Sequence, residues 1–312
     1  MNILIISKHN KIPALQYGGT ERVIWYLGYE LSKLNHNVSF LVKKGSSCNF
    51  ANVIIYDESK GLKSQIPENT DIIHSHNVEY LSDIKTPSVF TLHGNTEADS
   101  ILPKNTICIS KNHAERNNLN TFVYNGLNWD DYNIELTNSA RSYYHFLGKA
   151  TWKVKNLADA AKIAVKTNNR LIVLGGEKWN YKNLKKGFIW KVNPLIKYHG
   201  MVNDKQKMAI LSKSKGLIFT VKWHEPFGLA IIESLFAGCP IFGSTLGSLP
   251  ELITDDVGVT SDDNDILIEA IKHNNFNPKV CRDYAYHTFN SKQMAKNYIK
   301  LYENVLNGEA LN

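Results

Sequence analysis

Residues 224–233 read HEPFGLAIIE, and the parsing of the whole chain follows from how this stretch is read. It lies between two short apolar runs, 216–220 and 240–243, that read as strands. From Phe227 onward it is apolar enough for a buried helix over 227–237. A loop carboxylate at Glu225, a glycine turn at Gly228 and a helical carboxylate at Glu233 thus sit just past the end of a strand. In open α/β sheets ligands bind at that end, and a helix starting near Phe227 would point the N–H groups of Phe227, Gly228 and Leu229 at an anion. Glu233, in the second turn of an apolar helix, has to find donors: ribose hydroxyls, a buried Arg or Lys, or water. The competing reading puts Glu233 on a solvated stripe and makes Glu225 a helix cap, and spacing alone leaves both open.

Working outward, the first part of the chain shows the same alternation. A strand over 2–7 is followed by a loop ending in Tyr17-Gly18-Gly19. A helix over 20–34 then carries Val23, Ile24, Leu27, Leu31 and Leu34 on one face and leads into a strand over 38–42. Apolar runs at 53–56, 71–74, 88–93, 106–110 and 121–124 continue the pattern. A second series has strands at 143–147, 171–174 and 196–198 and helices at 157–166, 204–212 and 266–271, and a helix over 291–306 ends it. The polar stretch 125–141 between the two series opens on an Asn-Gly turn and is the expected domain boundary, placed at 139. Strands alternating with helices predict parallel sheets, so the expected class is α/β with two domains.

The composition agrees. With 312 residues, 43% hydrophobic and 21% charged, the chain has room for two cores and none of the bias of disordered or fibrous sequences. Its longest apolar stretch, 227–243, is interrupted by Glu233 and Pro240 and falls short of the ~20 clean residues of a membrane span. The amino terminus lacks the basic start and cleavage site of a signal peptide, which predicts a cytoplasmic protein. Cys48, Cys108, Cys239 and Cys281 are scattered, which argues against a disulfide frame or a zinc site. His74 and His76 alternate at a strand end, but no third ligand stands at metal spacing. Residues 1–139 carry 12 Lys+Arg against 14 Asp+Glu, a net −2, whereas 140–312 carry 24 against 15, a net +9. A basic second half suits an anionic ligand. It contains no recognised nucleic-acid module, so no nucleic-acid partner is expected. The basic aromatic stretch 181–197 is a candidate for peripheral contact with a membrane or another protein.

Glu225 and Glu233, in EPFGLAIIES followed by AGCPIFGSTLGSLPELI, resemble the E-x7-E signature of retaining GT-B glycosyltransferases of the family-4 type, the glycosyltransferase group 1. YGGTERVIWYLGYEL resembles that family's Gly-Gly loop and first helix, Thr91-Leu92-His93-Gly94 its Thr-x-His-Gly segment, and Tyr124-Asn125-Gly126-Leu127 its inter-domain turn. Phe146-Leu147-Gly148-Lys149 is similar to the strand opening its second domain, so the likeness runs along nearly the whole chain in order. It implies a GT-B fold of two Rossmann-like α/β domains facing each other across a cleft, with the last helix crossing back to the first domain.

The same resemblance implies the site. Glu225 would contact hydroxyls of a donor sugar, Glu233 the ribose of its nucleotide, and the amides of Phe227, Gly228 and Leu229 the sugar and diphosphate. The family places an Arg and a Lys on the diphosphate. Here Lys149 and Lys155 match those positions, with Lys153 as an alternative, and a Lys in the first place gives up bidentate phosphate geometry. His93 would face the donor sugar, Gly18 and Gly19 would approach the acceptor or the diphosphate, and Gly200, Met201 and Val202 would line the base pocket. Gly247-Ser248-Leu249-Pro250-Glu251 departs from the family's Gly-Gly-x-Pro-Glu at Ser248, and Ser234 stands where an Ala is common. The implied activity moves a sugar from a nucleoside-diphosphate sugar, UDP- or GDP-linked, to a hydroxyl of a glycan, lipid-linked or small-molecule acceptor with retention. No cofactor and no metal are implied. The alternatives are an epimerase or hydrolase on the same fold and a non-catalytic sugar-nucleotide-binding scaffold.

Overall fold

The computed structural model describes residues 1–14, 18–77, 81, 83–97, 100–132, 134–136, 140–176 and 192–312. The chain divides into two compact units, Met1–Asn128 with Phe289–Asn312, and Trp129–Thr288. Among the described residues each unit is built on one six-stranded sheet, parallel throughout.

In the first unit the strands are β1 (Asn2–Ser7), β2 (Asn37–Val42), β3 (Asn52–Ile55), β4 (Ile72–Ser75), β5 (Ser88–Thr91) and β6 (Thr106–Ile107), in the order β3-β2-β1-β4-β5-β6. The central β1 reads NILIIS and is buried from Ile3 to Ser7, as a strand covered on both faces must be. Helix α1 (Gly19–Lys33) turns Val23, Ile24, Leu27 and Leu31 inward. Its buried Glu30 accepts a 2.9 Å hydrogen bond from the Ser291 hydroxyl of the last helix, Ser291–Leu306. Among the described residues that helix also buries Tyr298 and Tyr302 in this unit. The run 121–124 does not form the expected strand. β6 is only two residues long, and the pairing ends in one bridge between Cys108 and Phe122.

In the second unit β7 (Tyr143–Leu147), β8 (Leu171–Leu174), β9 (Ile196–Gly200), β10 (Ser214–Phe219), β11 (Ile241–Gly243) and β12 (Gly258–Thr260) run in the order β12-β11-β10-β7-β8-β9. This repeats the first sheet's order, so each sheet reverses direction of growth once, between β1 and β4 and between β7 and β10. Ligands of open α/β sheets bind at such reversals, beyond the carboxyl ends of the strands. Tyr144, Phe146, Ile163, Leu171, Val173, Ile218, Phe242 and Leu267 fill the core, each stabilising by about 1.5–3 kcal/mol through burial. The stretch expected to be a linker reaching 139 instead gives this unit Trp129, whose indole stacks on Phe236 at 4.2 Å and 9°. The crossover therefore falls between Asn128 and Trp129. A short helix (Lys111–Arg116), the strand β12 and a helix at Pro278–Thr288 were not signalled by periodicity. Residues 177–191, most of the basic aromatic stretch, and Tyr17 lie outside the described residues. No helix among the described residues is long and apolar enough to cross a membrane.

Burial raises the Cys108 thiol to about 12 and the Cys239 thiol to about 11, which keeps both protonated and inert. Buried imidazoles carry the pH dependence. Burial, aided by the Arg141 charge, lowers His145 to about 3, and burial lowers His74 to about 3. The unfolded chain takes a proton at the ordinary value of 6.5 while the folded state refuses it. Stability is therefore full above that value and falls as pH drops toward 3. Each histidine should remove about 2 kcal/mol between pH 7 and pH 5. Urea denaturation at the two pH values should show the loss, and His145→Gln, which has no titratable ring, should show a shallower slope.

Candidate active site

The site is organised by the backbone between β10 and the short helix Leu249–Leu252. Glu225 forms an isolated parallel bridge with Gly247, and the Ser248 amide donates to the Glu225 carbonyl at 2.9 Å. A Cβ at Gly247 would lie 2.3 Å from the Glu225 nitrogen, and its φ is +70°, so only glycine lets the two segments meet. Ser248, where the family pattern has Gly, is fully buried and donates its hydroxyl to the Phe227 carbonyl at 2.7 Å. The departure thus adds a tie that a glycine could not make.

The helix after this loop starts later than the sequence suggested. It runs Leu229–Phe236, with Gly228 as cap at φ +92°, because the left-handed residue cannot lie inside a right-handed helix. Its first donors are therefore the amides of Gly228, Leu229 and Ala230. Phe227 precedes the helix with its side chain buried.

Glu225 is held by two donors on one oxygen. Lys155 Nζ reaches Oε2 at 2.5 Å, and Trp223 Nε1 donates to the same atom at 2.8 Å. Lys155 belongs to a turn after β7 in which Trp152 N donates to Lys149 O and Lys155 N to Trp152 O. Such i to i+3 bonding eclipses side chains three apart. Lys149, Trp152 and Lys155 accordingly share one side, with Lys149 Nζ 4.7 Å from the Trp152 ring centre and Lys155 Nζ 4.8 Å from that of Trp223. The two indoles meet edge to face at 6.4 Å. Lys153 is solvent-exposed, so among these lysines the structure turns Lys155 onto Glu225.

Glu233, buried in the apolar helix, finds protein donors. Lys207 Nζ lies 2.6 Å from Oε1, and the Tyr132 hydroxyl donates to the same oxygen at 3.0 Å. Lys207 also pairs with Asp204 at 2.9 Å. The solvated-stripe reading is thereby excluded. Lys207 and Tyr132 were missed at the sequence level, although Glu233's need for a buried cation was legible. Trp223 gave no signal beyond its place two residues before Glu225. Ser244, just past β11, keeps a buried hydroxyl with no partner among the described residues. Gly200 ends β9 at φ +69°, and Met201 and Val202 follow it, Met201 being exposed.

In the first unit His93 lies just beyond β5 and is linked to His76, Nε2 to Nδ1, at 2.8 Å. His74 stacks on His76 at 4.2 Å and bonds the Tyr302 and Thr91 hydroxyls at 2.6 and 2.7 Å. Gly94, next to His93, gives its carbonyl to His113 at 3.0 Å. Burial pushes His93 and His113 down to about 4, so both rings are neutral at pH 7. Gly18 caps α1, and a Cβ there would meet the Glu21 carboxylate, which is itself held by Asn10 at 2.8 Å. That carboxylate partly neutralises the positive end of the helix.

A family model described as glycosyl transferases group 1 matches residues 129–288, over half of the chain and the whole of the second unit. The chain belongs to this family. The crystal structure of AviGT4, a glycosyltransferase involved in avilamycin A biosynthesis, superimposes with a TM-score of 0.79 at 17% identity, over 100% of this chain and 99% of that one. That likeness establishes the GT-B fold. An uncharacterized 41.2 kDa protein in the cps region of Klebsiella pneumoniae is 27% identical over 35% of this chain and 32% of its own length. A GDP-mannose-dependent alpha-(1-6)-phosphatidylinositol dimannoside mannosyltransferase of Mycobacterium tuberculosis is 37% identical over 25% of this chain and 20% of its own length. The aligned stretches thus cover a third or less of these curated relatives.

Removing one member of the Lys207–Glu233 pair leaves a buried charge unanswered. Lys207→Met should cost about 3–5 kcal/mol. In urea denaturation the double variant Lys207→Met/Glu233→Gln should lose clearly less than the sum of the two single variants.

Proposed function

We propose that the chain is a retaining glycosyltransferase that binds a nucleoside-diphosphate sugar, UDP- or GDP-linked, at the carboxyl edge of the second sheet. The observation that carries this reading is that Glu225 and Glu233, in the positions of the family's paired carboxylates, are each held by a lysine, Glu225 by the half-buried Lys155 and Glu233 by the buried Lys207, beside the reversal between β7 and β10. In this reading Glu233 takes the ribose and Glu225 the sugar hydroxyls. Lys149 and Lys155 receive the diphosphate, and Gly200, Met201 and Val202 flank the base. The unpartnered Ser244 hydroxyl offers a further donor at the same sheet edge.

The reaction breaks the bond between the anomeric carbon and the β-phosphate oxygen and forms a bond from that carbon to an acceptor oxygen on the same face. The acceptor proton passes to the departing phosphate. Charge growing on that phosphate is met by the two lysines and by the amides of Gly228 and Leu229, so this reading needs no metal. The first unit, which holds His93, takes the acceptor, a glycan, lipid-linked or small hydroxylated molecule.

Thermal shift with UDP, GDP and ADP, with and without Mg²⁺, tests the reading. One nucleotide at 100-fold its Kd should stabilise the protein by about 2.7 kcal/mol without Mg²⁺. Glu233→Ala and Lys155→Ala should start from lower midpoints and lose the ligand-dependent increment. No shift with any of the three would overturn the donor-site reading.

A further inference from the structure

Glu225 Oε2 carries both of the carboxylate's hydrogen bonds, from Lys155 at 2.5 Å and from Trp223 Nε1 at 2.8 Å, while Oε1 has no partner among the described residues. The two donors differ in kind. Lys155 is a cation on a flexible stem, and its pairing with Glu225 competes with any phosphate that comes within reach. Trp223 is neutral, two residues from Glu225 in the same loop, and its indole N–H has no affinity for a phosphate that a nearby cation would not exceed.

We propose that Trp223 is a positioning residue for the donor sugar: its indole N–H keeps the Glu225 carboxylate in place, with Oε1 presented to the sugar hydroxyls, when Lys155 leaves Glu225 for the diphosphate. This rests on the donor-site reading above. Three features of the site support it. The Glu225 main chain is fixed by the bridge to Gly247 and the bond from Ser248, so the side-chain torsions are what remain to be held. Trp223 is itself braced, edge to face against Trp152, and Lys155 rests on its ring face, so the lysine has a seat beside the carboxylate from which to turn. Lys149 occupies the matching place on Trp152, which puts two cations on two indoles along one side of the turn. The indoles order the lysines without neutralising them, leaving their charge for an anion.

The test separates sugar from nucleotide. The dissociation constants of UDP and GDP are compared with those of UDP-glucose and GDP-mannose by titration calorimetry, and the ratio of diphosphate to sugar nucleotide isolates what the sugar contributes. Trp223→Phe keeps a ring for Lys155 and removes only the donor. It should leave nucleoside-diphosphate affinity within about threefold and reduce the sugar's contribution by about tenfold, the size of one hydrogen bond to a charged group. Glu225→Gln should reduce that contribution similarly, and Trp223→Phe should add nothing to it in the double variant. A residue that only supported the loop would weaken both ligands together. A sugar contribution retained in Trp223→Phe, or losses that add in the double variant, would overturn the proposal while leaving the donor site standing. Absence of any nucleotide binding in the unaltered protein would overturn the donor-site reading and this inference with it.

Discussion

A carboxylate inside an apolar helix is a debt of several kcal/mol unless a donor answers it, and Glu233 is answered by a lysine from one helix and a tyrosine from the start of the unit. Much of the second unit's layout follows from that requirement. Tyr132 reaches Glu233 because Trp129 stacks on Phe236, one turn further along the same helix. Lys207 reaches it because the capping box of Asn203 and Gln206 starts the helix Asp204–Leu211 where the ammonium points inward. The polar stretch after Asn128 is thereby committed to this unit, and the crossover of the chain lies ahead of it.

The same logic explains how much of the molecule was legible from sequence. Strands such as β1, β7 and β8 are short, mainly apolar runs with buried centres, and their bounds in the structure match the runs. The misplaced features depend on conformation that a pattern of apolar residues does not encode. The helix of Glu233 starts at Leu229 because Gly228 is left-handed, and the run 121–124 stays a bridge because its neighbour β6 is two residues long. At the site, Glu225, Glu233 and Lys155 were legible because each is a charged residue in a distinctive local setting. Their partners were not. Tyr132 and Lys207 stand 101 and 26 positions from Glu233, and the bonds that join them exist only in three dimensions.

The first unit spends its polar groups differently. Where the second unit pairs acids with lysines, the first strings neutral rings together, from Tyr302 through His74 and, by stacking, to His76 and His93. Every imidazole in the string is buried enough to refuse a second proton at pH 7, so the hydrogen bonds are fixed by tautomer and not by charge. His76 Nε2 ends without a partner among the described residues, and a bare acceptor is less costly to bury than a bare donor. This favours His76 donating from Nδ1, which leaves His93 with its proton on Nδ1.

Ser234, directly after Glu233, is more than a polar residue in an alanine's place. Its hydroxyl bonds His145 on β7 at 2.8 Å, and the other nitrogen of that ring bonds Ser214 at 2.7 Å. One imidazole therefore spans from the central strand to the helix that carries the site, and neither end can change alone without stranding a buried nitrogen. Positions 145, 214 and 234 are therefore coupled through one ring, and the three should be exchanged as a set when this helix is grafted onto another GT-B scaffold.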